Sequence, residues 1–241
     1  MTLEGRVALI TGGGQGVGKG IATAMAKQGA HIAIAEINPE TGKATAIELS
    51  ELGTNAEFFQ CDVSDPAQAQ STVEACVNHF GHLDIVVNNA TGARPHDPSI
   101  AALEQGLERF DRMFSIDVRG SYCFMVAAYP HLKNSAHARI INLTSCAGTE
   151  RSAGFAAYAT VKEGLRALTG VIAKEWGRDG ITANCICPVA ATEGVLGWLE
   201  ENPDIAKKKM SQIPLKRMGD MEYDIGGVAA FLASDAGRKA T

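Results

Sequence analysis

The sequence predicts an α/β fold, a doubly wound parallel sheet in one domain over residues 1–241, and two observations lead there. Six short apolar or β-branched runs recur along the chain, and helix-length segments separate them from end to end. The first run also opens directly into a glycine-rich turn and a helix: Thr11-Gly-Gly-Gly-Gln-Gly-Val-Gly18, then Lys19 to Gln28. Alternation of this kind builds βαβ units whose right-handed crossovers cover both faces of a parallel sheet.

Taken in order, Arg6 to Ile10 is the first strand, and the helix over 16–28 follows its glycine turn. The apolar run His31 to Ala35 is the second strand, with a helix over 40–52 behind it. Glu57 to Cys61, with its adjacent phenylalanines, is the third, followed by a helix over 66–80. Asp84 to Asn88 is the fourth, and the helical pattern over 100–130 breaks in two. Arg139 to Thr144 and Ile181 to Cys187 are the fifth and sixth strands, flanking a helix over 156–177. Residues 188–221 contain Pro188, Gly194, Gly197, Pro203, Pro214 and Gly219 and show no strand pattern, so an apolar lid or pocket loop is expected before a last helix over 222–234.

Composition narrows the function. A net charge of −5, with no basic block beyond Lys207-Lys208-Lys209, disfavours nucleic acid and anionic membranes as partners. That triplet reads as a solvated helix face. There is no signal-peptide pattern and no apolar run near the ~18 residues of a membrane span, so a soluble, cytoplasmic protein is expected. The six cysteines lack the paired spacing of zinc sites and are expected as reduced, buried thiols, and the six histidines form no ligand cluster, so no metal is expected. Cys185 and Cys187 share one face of a strand, where neighbours are poorly placed for a disulfide.

The chemistry is written in Tyr158-Ala-Thr-Val-Lys162, with Ser145 thirteen residues before the tyrosine. On a helix, positions i and i+4 share a face, so the lysine ammonium lies near the phenol. At roughly 4 Å and an effective dielectric near 20, their attraction favours the phenolate by about 4 kcal/mol. Such a tyrosine can exchange a proton with an alcohol or ketone near neutral pH, and Ser145 supplies a hydrogen-bond donor. The turn containing Thr11, Gly12, Gln15, Gly16, Val17 and Gly18 suits a pyrophosphate, because glycines permit close backbone approach and the helix start attracts an anion. Glu36 ends strand two, where a carboxylate can accept from adenosine ribose hydroxyls and would repel a 2′-phosphate. Gln15 stands where an arginine would greet that phosphate. NAD(H) is therefore expected over NADP(H).

Together with Asp62-Val63 after strand three, Asn88-Asn89-Ala90 after strand four, Asn184 and Pro188, these residues resemble the short-chain dehydrogenase/reductase family over nearly the whole chain. The resemblance implies a Rossmann-like sheet in the order 3-2-1-4-5-6, with the family's seventh strand missing where the chain stops at Thr241. It implies an oxidoreductase of secondary alcohols and ketones, commonly homotetrameric. Asp62 and Val63 would lie at the adenine, Asn88, Asn89, Ala90 and Pro188 near the cofactor, and Lys162 on the nicotinamide ribose. In that mechanism Ser145 holds the substrate oxygen, Tyr158 takes the alcohol proton and hydride passes to the nicotinamide.

Three internal departures qualify the resemblance. Asp117, in Ser115-Ile-Asp117-Val-Arg-Gly120, replaces the usual Asn of the lysine's water relay. An anion there is expected to strengthen the lysine's hold on its proton and partly offset its pull on Tyr158. Thr91 replaces the usual glycine after Asn-Asn-Ala, which requires a backbone suited to a β-branched residue. Pro188-Val189-Ala-Ala-Thr192-Glu193 replaces Pro-Gly, leaving Thr192 as the candidate contact to the nicotinamide amide although Glu193 holds the family's register. The substrate pocket is expected between 91–98, 145–158 and 189–215, with Phe155, Val195, Leu196, Trp198 and Leu199 apolar and Arg94, His96, Glu150 and Arg151 polar. The competing readings are a 3-oxoacyl-carrier-protein reductase and a non-catalytic dinucleotide sensor.

Overall fold

The computed structural model describes residues 2–93 and 100–241. Its strands are β1 (Val7–Thr11), β2 (His31–Glu36), β3 (Ala56–Gln60), β4 (Ile85–Asn88), β5 (Arg139–Leu143) and β6 (Thr182–Ile186), each within one residue of its sequence expectation. They form one sheet in the order β3-β2-β1-β4-β5-β6, and every pairing is parallel. The order reverses between β1 and β4, and ligands of such sheets bind where the carboxyl ends of the strands part.

Alternation along each strand divides the core into two layers. Ala8, Ile10, Ile32, Ile34, Ile85 and Val87 face α1 (Gly16–Ala26) and α10 (Gly227–Ala233). Val7, Leu9, Ala33, Ala35 and Val86 face α3 (Pro66–Phe80), α5 (Ser121–Leu132) and α7 (Ala156–Trp176), where Val73, Phe124 and Ile172 are buried. The remaining long helix on the nucleotide side is α2 (Pro39–Glu51), capped by the Asn38 side chain. Among the described residues, no helix is long and apolar enough to cross a membrane.

The structure bears out the sequence reading at one segment and corrects it at two others. The segment expected to be broken in two over 100–130 parts at Gln105-Gly106, after a 3₁₀ turn at Ala102–Glu104. It then runs on through α4 (Leu107–Met113), a π-helical stretch at Phe114–Gly120, and α5. The expected loop 188–221 holds two helices, α8 (Glu193–Glu201) and α9 (Pro203–Gln212), with Lys207, Lys208 and Lys209 exposed on the latter as anticipated. A short helix, α6 (Cys146–Thr149), also follows β5. The excursion closes on itself, because Gly219 N–H donates to Val189 O at 2.8 Å and Ala191 N–H to Gly219 O at 2.9 Å. Finally, only Cys61 and Cys76 are buried; Cys123, Cys146 and Cys185 are half-buried and Cys187 is exposed.

Candidate active site

At the switch point, the glycine turn joins β1 to α1. Gly12 and Gly16 have positive φ, and a Cβ on Gly18 would overlap the Gly12 carbonyl oxygen. No larger residue fits that turn unchanged. The first turn of α1 has no side-chain cap from Gln15 and no acidic residue, so its amides remain open to an anion as the sequence requires. Asn89 staples the turn to β4: its amide donates to Thr11 O at 3.0 Å and Gly12 O at 2.9 Å. Thr11 Oγ1 accepts from the main-chain N–H of Asn89 and Ala90 at 3.0 and 3.1 Å.

Glu36 is 7% exposed at the end of β2. Its carboxylate accepts from Gly14 N–H at 3.2 Å and Asn38 N–H at 3.1 Å, which fixes it beside the glycine turn while leaving lone pairs for further donors. The main chain brings Asp62 and Val63 alongside, since Cys61 N–H donates to Glu36 O at 3.0 Å. The Asp62 carboxylate is occupied by Ser64, accepting from its N–H at 2.9 Å and its hydroxyl at 2.7 Å. Asn88 departs from its expected place near the cofactor: its side chain turns into the core and donates to Asn142 Oδ1 at 2.8 Å, and Asn142 in turn donates to Thr169 Oγ1 at 2.7 Å. These glycines, open amides and carboxylate fit a nicotinamide dinucleotide.

Across the switch point, Ser145 follows β5 by two residues and caps α6, accepting from Ala147 N–H at 3.2 Å, which leaves its own hydroxyl hydrogen to donate. Tyr158 and Lys162 lie one turn apart on α7, with the ammonium 5.6 Å from the centre of the phenol ring. Lys162 is 3% exposed and donates to Leu143 O at 2.9 Å. It pairs with Asp117 Oδ1 at 2.8 Å, and Asp117 is 0% exposed on the π-helical stretch. Burial pushes the Lys162 ammonium down, but the charges of Asp117 and Tyr158 outweigh it and hold the lysine above its ordinary value, the direction expected from the sequence.

Two departures from the family pattern meet at this carboxylate. Thr91 Oγ1 donates to Asp117 Oδ1 at 2.9 Å, and Gly92 N–H donates to Asp117 Oδ2 at 2.7 Å. Three donors therefore converge on two acceptor oxygens, a demand that a carboxylate meets and a primary amide, with one acceptor, does not. Among the described non-glycine residues only Arg151 and Lys216 have positive φ, so Thr91 has the ordinary backbone that its branched side chain requires. The partnership of Thr91 with Asp117 was missed in the sequence, although both departures were visible there.

Over the turn, Thr192 caps α8, accepting from Val195 N–H at 3.3 Å, and its methyl group lies 3.9 Å from where a Cβ on Gly16 would be. Glu193, in the family's register, is exposed, which favours Thr192 as the residue facing the site. Phe155 meets the Tyr158 ring edge-on with centroids 6.5 Å apart, and Leu199 is buried on the inner face of α8. Val195 is half-buried, and Leu196, Glu150 and Arg151 are exposed. Arg94, His96 and the side chain of Trp198 lie outside what the structure describes. Among the described residues no group of His, Cys, Asp and Glu is placed to hold a metal ion.

A sheet of this order with this pair of facing subsites defines a class, the dinucleotide-binding oxidoreductases. A family model described as enoyl-(acyl carrier protein) reductase matches residues 12–241. A 12alpha-hydroxysteroid dehydrogenase from Clostridium sp. is 33% identical over 238 residues, covering 96% of this chain and 90% of that protein. Two solved structures superpose on the whole chain. One is an NAD+-bound xylitol dehydrogenase (TM-score 0.90, 27% identity, 96% of its chain), and the other a short chain dehydrogenase from Burkholderia cenocepacia in complex with NADP (0.89, 29%, 95%). The chain belongs to the short-chain dehydrogenase/reductase family.

Proposed function

We propose that the protein is an NAD-dependent dehydrogenase of secondary alcohols, also reducing the corresponding ketones. The observation that carries this reading is the buried Lys162, fixed by Asp117 and Leu143 O one helical turn from Tyr158. Ser145 donates to the substrate oxygen and holds it as charge develops there, a contribution worth about 3–4 kcal/mol for one well-placed bond. Tyr158 takes the hydroxyl proton in oxidation and returns it in reduction, and Lys162 favours the phenolate that accepts it. The dinucleotide, when bound, accepts or gives the hydride. Thr11, Gly12, Gly16, Val17 and Gly18 hold its pyrophosphate, Glu36 its adenosine ribose, Asp62 and Val63 its adenine, and Asn89, Ala90, Pro188 and Thr192 its nicotinamide end.

Glu36 supports NAD over NADP, since a buried carboxylate held beside the glycine turn would repel a 2′-phosphate. Residues 188–221 close over the substrate within a single domain. Related proteins are named for a hydroxysteroid and for D-threitol, which supports a secondary alcohol, cyclic or open-chain. Exposed Phe114, Tyr122 and Val126 on the helix before and through α5 support a homotetramer, and the chain's composition a cytoplasmic one.

A panel of secondary alcohols assayed with NAD+ and NADP+ tests the reading. Turnover with a lower KM for NAD+ is expected; a lower KM for NADP+ overturns the cofactor assignment. NADH binding with no turnover of any alcohol would make the protein a dinucleotide sensor. Preferential reduction of a 3-oxoacyl thioester would favour the competing reading, a 3-oxoacyl-carrier-protein reductase.

A further inference from the structure

The helix that carries Tyr158 and Lys162 starts without a cap of its own. Phe155, the residue before α7, offers no side-chain acceptor to the first-turn amides, and no acidic residue lies in that turn. The acceptor comes from 52 residues away: Gln105 Oε1 accepts from Ala157 N–H at 3.1 Å. The other end of the same amide is also filled, since Gln105 Nε2 donates to Ile100 O at 2.9 Å and to Gly154 O at 3.0 Å. Gly154 O accepts from Ile100 N–H at 3.2 Å as well. One side-chain amide thus makes three bonds, all to main chain, and only one orientation allows them. Turned over, its NH2 would face the Ala157 N–H and its oxygen would face two carbonyls.

We infer that Gln105 is a positioning residue for Tyr158, capping α7 from outside the helix and fixing the turn that leads into it. Gln105 has extended backbone between the 3₁₀ turn at Ala102–Glu104 and Gly106, the N-cap of α4, so its bonds tie the start of α4 to the start of α7. Gly154, whose carbonyl it holds, turns the chain with a positive φ of 84° just before α7. Further along the same pair of helices, Asp117, on the π-helical stretch after α4, holds Lys162 at 2.8 Å. Between these two polar ties Met113, Ala157 and Val161 form a buried cluster, against which Phe110, Val118 and Tyr158 pack. The tyrosine and the lysine are therefore each set by a side chain from the α4 segment, and the Gln105 bond falls on the residue next to the phenol.

Gln105 has no part in the proton or hydride transfer and acts through the helix. Without its acceptor the Ala157 N–H is left unpaired on a residue only 1% exposed, and the first turn of α7 must shift or fray to satisfy it. Displacement of a reacting group by about 1 Å can cost roughly a hundredfold in rate, so a smaller shift of Tyr158 still registers in kcat. The glycine turn and Glu36 lie on the other side of the switch point, so cofactor binding should persist. Two substitutions separate the bonds. Gln105→Met keeps the length of the side chain and removes all three. Gln105→Glu still accepts from Ala157 N–H, and its charge suits a helix N-terminus, but it cannot donate to Ile100 O or Gly154 O.

The effect on turnover rests on the proposed dehydrogenase function, whereas the cap itself does not. The full chain is therefore followed both by alcohol oxidation and by hydrogen exchange of the peptide spanning Phe155 to Ala159. Gln105→Met should lower kcat roughly tenfold with the KM for NAD+ unchanged, and its peptide should exchange faster than that of the wild type. Gln105→Glu should recover most of the kcat and most of the protection. Wild-type kcat in Gln105→Met overturns the positioning role. So does a Gln105→Glu that loses as much as Gln105→Met, since the carbonyl bonds and not the cap would then hold the turn. Unaltered exchange in Gln105→Met overturns the cap. If Gln105→Met does not fold, Gln105→Glu decides alone: near-wild-type kcat and exchange support the cap, and a loss of roughly tenfold overturns it. A wild type that oxidises no alcohol sinks the dehydrogenase reading, and the exchange comparison still decides the cap.

Discussion

The two halves of the site satisfy their polar groups by different means. In the nucleotide half, β1 to β3, the partners are mostly main chain: Glu36 accepts from Gly14 and Asn38 N–H, and Asn89 donates to the carbonyls of Thr11 and Gly12. In the reaction half, β4 to β6, side chains from distant segments meet one another, as in Thr91–Asp117–Lys162 and Asn88–Asn142–Thr169. Main-chain partners survive most substitutions, so the nucleotide half depends on shape. Side-chain partners vanish with one mutation, so the reaction half depends on charge and acceptor count.

Tyr158→Phe cuts deepest, because it removes the proposed proton acceptor and no hydrogen bond of the frame. We expect kcat to fall on the order of a thousandfold or more, with NADH affinity unchanged by fluorescence titration. Near-normal turnover would remove Tyr158 from the chemistry. Gly18→Val probes shape in the other half: the new side chain collides with the Gly12 carbonyl, and the strain of about 1–3 kcal/mol should appear as weaker NADH binding. Unaltered affinity would mean that the turn does not hold the dinucleotide.

Asp117→Asn tests acceptor count and charge together. One of the three converging donors loses its acceptor, which should cost about 1–3 kcal/mol in urea denaturation. The sign of the pH effect follows from the ion pair. Without the carboxylate, burial lowers the proton affinity of Lys162 against the weaker opposition of Tyr158, while below that point the ammonium pulls on the phenolate without a competing anion at position 117. The variant's alcohol-oxidation optimum should therefore lie at lower pH than that of the wild type, and coincident profiles would reduce Asp117 to a structural acceptor. The mildest effect is expected from Glu36→Gln, which keeps an acceptor and removes the charge. The preference for NAD+ over NADP+ should narrow by about tenfold, the worth of ~1.4 kcal/mol. An unchanged ratio of kcat/KM values would show that shape alone selects the cofactor there.

The same contrast explains what was legible in the sequence. Strands and the glycine turn depend on local pattern, and their residues are contiguous, so they fell within one position of expectation. Ser145, Tyr158 and Lys162 were legible because a strand end and one helical turn fix their spacing. Thr91 and Asp117 are 26 residues apart, and Asp117 lies on a π-helical stretch that interrupts the α4–α5 helix, a feature with no clear sequence signature. The helices α8 and α9 were missed because Gly194, Gly197 and Pro203 read as breakers. Yet Pro203 opens α9 at a position that needs no N–H donor, and Thr192 caps α8.

The bridge between Ala190 and Gly219 gives residues 192–218 a common entrance and exit. The chain leaves the body and returns to it at one point, so the excursion behaves as an insertion whose interior can be rewritten without shifting a strand. Under the proposed function, substrate choice can then drift through α8 and α9 while proton transfer stays fixed on α7. A graft of another family member's segment between these two residues would move selectivity as a unit.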